Sequence, residues 1–396
     1  MPVRRLARHV REAWEVPRDL LRGRYPSFVT GGDLPRGEVP VFVFHGAEPA
    51  SFGRKVAHLA DNGYVTLSAD EYLAHVRGER EAPERAVVLT FDDGRGSVWS
   101  VAAPLLARHG MKATVFLVPG RIVSRPGPPA PTWTDVEAGR TVAASVLGRE
   151  EGEGALLSWE EVEALAATGL FEFQSHTLRH ARVHTGPHLA GFVTPRSRRG
   201  YHAFDQPLLL EGDRDLVGPE APLGAPLFRS APRTSDEARF FEDPTVRESC
   251  VATVADGGGE GFFLRSDWEP RLRRAFGRPR LSGRLETPEE REREIRRELS
   301  EARRLVEEHT GRPVRHLCYP WHAAGRVARR LAVETGHETA FCGKVPGPPI
   351  TPVGGDPRAI ARIGEDYVEL LPGRDRATLA EVLRAKWARR FGGALR

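Results

Sequence analysis

Residues 86–94 read AVVLTFDDG, and the fold follows from this stretch. Val87, Val88 and Leu89 make a short apolar, β-branched run that suits a buried strand. The strand delivers two adjacent carboxylates, Asp92 and Asp93, at its C-terminal end before a glycine turn. Successive residues at a strand end point in different directions, so one carboxylate can ligate a metal while the other accepts a proton from an attacking water. Asp-Asp-Gly is also good turn chemistry anywhere, so the reading depends on what else the chain brings to the same place.

Residues 174–180, QSHTLRH, follow a second predicted strand at 170–175. The spacing of His176 and His180 lets two imidazoles converge on one ion in a tight or helical turn. With Asp93 they make a common divalent-metal ligand count that leaves a position open for water and substrate. A chain with 14 His also places two of them four apart by chance. Residues 317–322, LCYPWH, follow a third predicted strand and add an aromatic turn.

In this order, T-F-D-D-G, S-H-T-x-x-H and a Y-P-aromatic turn resemble the polysaccharide deacetylase family, the NodB-homology or carbohydrate esterase 4 type. The resemblance runs from about Val39 to Arg362 with a long interruption. It implies an irregular (β/α)7 barrel with long loop insertions. It also implies Asp92 as general base, Asp93, His176 and His180 as metal ligands, and a sugar groove lined by Tyr319, Pro320 and Trp321. The ligand types select a divalent metal, zinc first, with cobalt or nickel as substitutes. Many members carry an acid His in a C-terminal L-x-H segment, which this chain lacks. A circularly permuted branch, typified by poly-N-acetylglucosamine deacetylases, places that His after the first strand, where Phe44-His45 stands here. His45 is therefore the expected general acid and His322 the runner-up. The usual Arg of the third motif is replaced by Cys318, itself read as a small buried residue, so Asp92 is expected to lack that partner. Backbone N–H groups near Tyr319 and Trp321 are the expected oxyanion donors.

From Val39 onward, strand and helix units repeat, with strands predicted at 39–46, 64–68, 86–91, 112–118, 170–175, 314–319 and 339–341, and 359–363 closing the set. Such alternation implies parallel strands with helices outside, and it puts every candidate site residue just after a strand, where barrel active sites form. Residues 1–38 read as a basic helical segment with Val3, Leu6, Val10, Trp14 and Val16 on its apolar side. The barrel occupies 39–183 and 286–372, and 373–396 reads as a C-terminal helix. Two stretches rich in Pro and Gly, 119–157 and 184–285, exceed a minimal barrel. The second leaves directly after His180 and is read as a cap that shapes substrate access.

With 40% hydrophobic and 28% charged residues among 396, the composition is that of a globular protein, neither membrane-embedded nor disordered. Four of 58 basic residues are Lys, and the Arg are spread along the chain, so no nucleic-acid partner is expected; the net charge of +4 permits acidic glycans or anionic lipid surfaces. Peripheral membrane contact is allowed but not expected. The first 28 residues lack the apolar core of a secretory signal, and Cys250, Cys318 and Cys342 suit a reducing compartment, so the expected location is cytoplasmic. The expected activity is metal-dependent removal of the acetyl group from an N-acetylamino sugar in glycan or glycolipid assembly. Two rivals are a deformylase or other C–N hydrolase on a lipid- or nucleotide-linked sugar, and a glycan-binding protein without turnover. The last is disfavoured because binding alone needs no paired base and acid.

Overall fold

Eight strands form one all-parallel sheet in the computed structural model, which describes residues 18–392 apart from positions 21, 200, 201, 204, 213, 217, 278–282 and 344–346. The expected apolar positions Val3, Leu6, Val10, Trp14 and Val16 lie outside the described residues. In chain order the strands are β1 (Val41–Phe44), β2 (Val65–Leu67), β3 (Ala86–Phe91), β4 (Ala113–Leu117) and β5 (Phe171–Ser175). An excursion then carries β6 (Arg182–Phe192), β7 (Leu209–Glu211), β8 (Arg214–Leu216), β9 (Pro226–Pro232), β10 (Phe240–Glu242) and β11 (Gly283–Leu285). The sheet resumes with β12 (His316–Cys318), β13 (Thr339–Phe341) and β14 (Ile363–Gly364).

The main path runs β13, β12, β5, β4, β3, β1, β14, with β2 paired to the first half of β3. Ile360 bridges Phe341 while Ile363 pairs with Phe42, so the short segment around β14 joins the two ends of the path and curls the sheet into an irregular barrel. All six residues of β3 are buried, as a strand with neighbours on both edges and both faces requires. Phe44 stacks on Phe91 at 5.0 Å and meets Phe52 edge-on at 5.5 Å, fixing β1 and the helix Pro49–Asp61 against β3.

The outer helices begin where the sequence supplies capping chemistry. Ser68 with Glu71, Ser158 with Glu161, and Thr287 with Glu290 form reciprocal capping boxes for Ala69–Val76, Trp159–Ala167 and Pro288–Thr310. The helical segment after β3 is broken into a π turn, Val98–Ala102, followed by Ala103–Ala107. Pro104 is the reason: it lacks an N–H and its ring crowds the carbonyl four residues back, at Ser100.

The excursion begins at Arg182 and is folded. β6 pairs with β9, β7 with β8 and β10 with β11, all antiparallel. The helix Pro244–Asp256 places Cys250 and Val254 in a cluster with Phe192, Phe262 and Leu272. Gly224 allows this approach, since a Cβ there would lie 2.5 Å from the Val254 side chain. The excursion is docked on the barrel near the third motif. Thr234 donates to the Ala323 carbonyl at 2.7 Å, and the Asp236 carboxylate caps the helix Arg326–Glu334 through the amides of Val327 (2.7 Å) and Ala328 (3.0 Å). Among the described residues, no helix is long and apolar enough to cross a membrane.

Candidate active site

Asp93 follows β3 and His176 follows β5, two strands separated in the sheet by β4 alone, so their C-terminal ends bring the two side chains together. His180 completes the group on the loop beyond β5. Ligand atoms of Asp93, His176 and His180 all lie within 4.8 Å of one another, and all three residues are buried. His176 Nε2 stands 3.4 Å and His180 Nε2 3.6 Å from Asp93 Oδ1. The Cys318 carbonyl takes a hydrogen bond from His176 Nδ1 at 2.7 Å, so Nδ1 carries the proton and Nε2 faces Asp93 with its lone pair when the ring is neutral.

Backbone strain is concentrated here. Of eight non-glycine residues with positive φ among the described residues, five belong to this region: Asp93 (73°), Thr177 (66°), His180 (52°), Trp321 (51°) and His322 (57°). Each such conformation costs on the order of 1–3 kcal/mol and persists only where the surroundings enforce it. Glu298, on the helix Pro288–Thr310, does so for the histidine loop: its backbone carbonyl accepts from Leu178 N at 3.0 Å, and its carboxylate accepts from Arg179 N (3.0 Å) and Arg179 Nε (2.7 Å). From the other side, Gly120 N donates to the Leu178 carbonyl at 2.7 Å and Arg121 Nε to the Arg179 carbonyl at 2.8 Å. A Cβ on Gly120 would sit 2.6 Å from that Leu178 oxygen, so only glycine fits. Arg179 also reaches Asp215 of β8 at 2.7 Å, tying the histidine loop to the excursion.

Asp92 is 2% exposed and has a partner that the sequence reading did not find. Arg362, just before β14, grips both its oxygens, Nη1 to Oδ1 at 2.7 Å and Nη2 to Oδ2 at 2.8 Å. The expectation that Asp92 lacks an arginine is corrected: the guanidinium comes from the closing strand, and Cys318 accepts a further bond from Arg362 Nη2 at 2.9 Å. With Nε on the Cys342 carbonyl and Nη1 also on Thr90, all five guanidinium donors are used. Burial pushes the Asp92 pKa up, but Arg362 prevails and holds the carboxylate well below its ordinary range. The signal for Arg362 was available: an arginine inside a short strand bounded by Ile360 and Ile363 needs a buried carboxylate.

His45 follows β1 and is exposed on the same rim, close enough for its charge to act on Asp92, Asp93 and His322. His322 keeps an open edge to solvent yet is crowded by protein over Gly343, where a Cβ would lie 2.7 Å from the ring. That crowding, with Arg362 nearby, lowers its pKa to about 4. A ring that is neutral at pH 7 is poorly suited to donate a proton. Of the three residues expected to line the groove, Tyr319 and Pro320 are buried, Tyr319 in a cluster with Leu317, Ala328 and Leu331. This corrects the expectation for their side chains, and the half-buried Trp321 alone presents a ring, 4.1 Å from that of His180 with Arg182 over its face at 4.9 Å. In the turn, the amides of His322 and Ala323 are spent on the Tyr319 and Pro320 carbonyls and Pro320 has none, so Trp321 N–H is the turn's candidate oxyanion donor.

The electrostatics suit a cation. The Asp93 carboxyl is held well below its ordinary range against the pull of burial, chiefly by His176. Burial, then the neighbouring His176, pushes His180 down to about 3, which keeps it a neutral ligand. Burial works against a charged His176, but Cys318, Asp92 and Asp93 overcome it and raise its pKa well above the ordinary value. With Arg362 spent on Asp92, the buried Asp93 still demands positive charge, and a divalent ion can supply it in place of a proton. One carboxylate and two imidazoles with second-shell support fit such an ion. A second convergent group, Asp92, His176 and Cys318, is less suited because Arg362 occupies Asp92. A third, Asp70, Glu172 and His316, lies at the opposite end of the strands, with His316 bonded to Thr339 at 2.7 Å and Asp70 at 3.1 Å.

Residues 79–195 match the family described as polysaccharide deacetylase. YxkH of Bacillus subtilis (strain 168), which bears a polysaccharide deacetylase name, is 30% identical over 89 residues, 20% of this chain and 32% of that protein. The poly-beta-1,6-N-acetyl-D-glucosamine N-deacetylase of Escherichia coli (strain K12) is 29% identical over 136 residues, 34% of this chain and 18% of that protein. The chain thus spans less than a third of the length of either. Among solved structures, the BpsB deacetylase domain from Bordetella bronchiseptica is similar with a TM-score of 0.49 at 19% identity, covering 84% of this chain and 98% of that one.

Proposed function

We propose that this chain, which matches the polysaccharide deacetylase family over residues 79–195, is a metal-dependent de-N-acylase of amino sugars, removing acetyl during glycan or glycolipid assembly. The observation that carries the reading is the adjacency of an arginine-held Asp92 to the convergent Asp93, His176 and His180. A protein that only bound glycan would have no use for a buried, arginine-held base beside a ligand set.

Asp93, His176 and His180 would hold the divalent ion, zinc by ligand type. When bound, such an ion supplies Lewis acidity, lowering the pKa of a water and polarising the acyl carbonyl. Asp92, kept ionised by Arg362, accepts the proton of the attacking water through a lone pair that the guanidinium does not use. The Trp321 amide faces the developing oxyanion. His45, on the open rim, gives the proton that the departing amine needs, a role that its position after β1 supports over His322. The Trp321 ring forms the wall against which the sugar rests. Three free cysteines support a reducing, cytoplasmic location, which cell fractionation tests.

The deciding experiment is metal analysis of the purified protein, followed by assay of released acetate and formate against lipid-linked, nucleotide-linked and oligomeric N-acyl sugars. Metal-dependent acetate release is the expected result. Formate release instead assigns the deformylase, and no release from any sugar overturns the reading.

A further inference from the structure

Asp70, Glu172 and His316 converge at the other end of the strands, away from every residue of the proposed reaction. Three distant parts of the chain supply them: the first turn of the helix Ala69–Val76, the start of β5 and the start of β12. His316 is fully buried and Glu172 largely so, while 54% of the Asp70 side chain is open to solvent. His316 Nε2 stands 3.1 Å from Asp70 Oδ1 and 3.4 Å from Glu172 Oε1. Two ligands of a tetrahedral ion with arms of about 2.0–2.2 Å lie roughly 3.3–3.6 Å apart, so the donors are already close to the spacing of a coordination shell. The corresponding separations in the candidate active site are 3.4 and 3.6 Å.

Each donor is held from behind. The His316 ring meets Thr339 Oγ1 through Nδ1 at 2.7 Å, which turns Nε2 toward the carboxylates, as the Cys318 carbonyl does for His176. The Gln174 side-chain carbonyl accepts from the backbone N–H groups of Arg315 and His316, both at 2.9 Å, and its Nε2 donates to Glu172 Oε1 at 2.9 Å. The other Glu172 oxygen accepts from Asp70 N at 3.3 Å. Two carboxylates face one imidazole, so the cluster keeps a negative charge whichever form the ring takes. Arg315 offsets it only in part, standing 3.8 Å from Asp70 and shared with Glu338 at 3.5 Å. Burial accordingly raises the Glu172 pKa even with His316 beside it. We propose that Asp70, Glu172 and His316 form a second divalent-cation site, zinc by ligand type, with water completing the shell on the exposed Asp70 side. The ion ties the helix Ala69–Val76 to β5 and β12, the strands that present His176 and the Cys318 carbonyl that orients it. With one ligand exposed and hydrogen bonds to displace, this site is weaker than the set around Asp93 and fills from added ion.

Calorimetric titration with zinc chloride tests the site in the wild-type protein and in a His176→Ala, His180→Ala double variant. One equivalent should remain in the double variant. Asp70→Asn should weaken that equivalent by roughly 100-fold in both backgrounds, and Glu172→Gln should do the same, since each removes a ligand. Thr339→Val, which removes only the support of His316, should weaken it by roughly 10-fold. In the wild-type protein the added equivalent should raise the melting temperature, and Asp70→Asn should abolish that rise. Zinc uptake that neither Asp70→Asn nor Glu172→Gln alters, or no uptake beyond the equivalent lost with His176 and His180, overturns the site. An Asp70-dependent equivalent in a protein that releases no acetate would uphold this site and sink the proposed reaction alone.

Discussion

Replacing Arg362 by methionine tests the mechanism at its least legible point. Arg362 is 4% exposed and Asp92 2%, and the two share a bidentate contact at 2.7 and 2.8 Å. Removing one partner of a buried pair typically costs about 3–5 kcal/mol, because the other charge is left in low dielectric. At 1.36 kcal/mol per pH unit, that corresponds to about 2–4 pH units in the proton affinity of Asp92. In the native protein the folded pKa lies below the unfolded one, so the pair stabilises the fold above the ordinary carboxylate range and that contribution is lost as pH falls through the folded value. In Arg362→Met the largest opposition to burial is lost and only the His176 and His45 charges still favour the ionised form, so the pKa moves up and the carboxylate costs stability at neutral pH until protonation relieves it. Two measurements follow. The acid limb of kcat/KM should move up by about 2–4 pH units, and the melting-temperature deficit should be widest near neutrality and shrink toward acid. Arg362→Lys should fall between, since a point charge keeps attraction but not the five-donor fork. An unmoved acid limb in both variants, with metal still bound, would refute Asp92 as the titrating base.

The protein should bind about one divalent ion per chain, and His176→Ala or His180→Ala should sharply reduce it by elemental analysis; unchanged content in both removes the assigned ligands. Asp92→Asn should keep the metal and lose roughly 100- to 10,000-fold in turnover across the pH range, because an amide cannot accept the proton. His45→Ala should lose a comparable factor on amide substrates and much less on an activated aryl ester, whose phenolate leaves unprotonated, whereas His322→Ala should do little; the opposite pattern exchanges the two roles. Glu298→Gln should weaken metal affinity by about 10- to 100-fold, as loosening of a ligand's support does, and a metal dissociation constant that does not change would show that Glu298 serves packing alone.

Local chemistry was readable in the chain because it is carried by neighbours in sequence. Apolar β-branched runs marked the strands, and Asp92, Asp93, His176 and His180 each sit within a few residues of the strand that presents them. The sequence therefore determined the barrel class and the candidate ligands. Its reading of Tyr319 and Pro320 as groove residues failed because burial depends on what lies behind the turn, here the helix Arg326–Glu334. The folded excursion was illegible for a related reason: β6 meets β9 and β10 meets β11 across long intervals, with a register shift between His184 and Leu189, so no local period announces the pairing. Tertiary structure alone decided that Arg362, far along the chain, reaches Asp92. Closure of the sheet through Ile360 and Ile363 sets that contact, and a low-dielectric interior makes the partnership obligatory once both charges are inside.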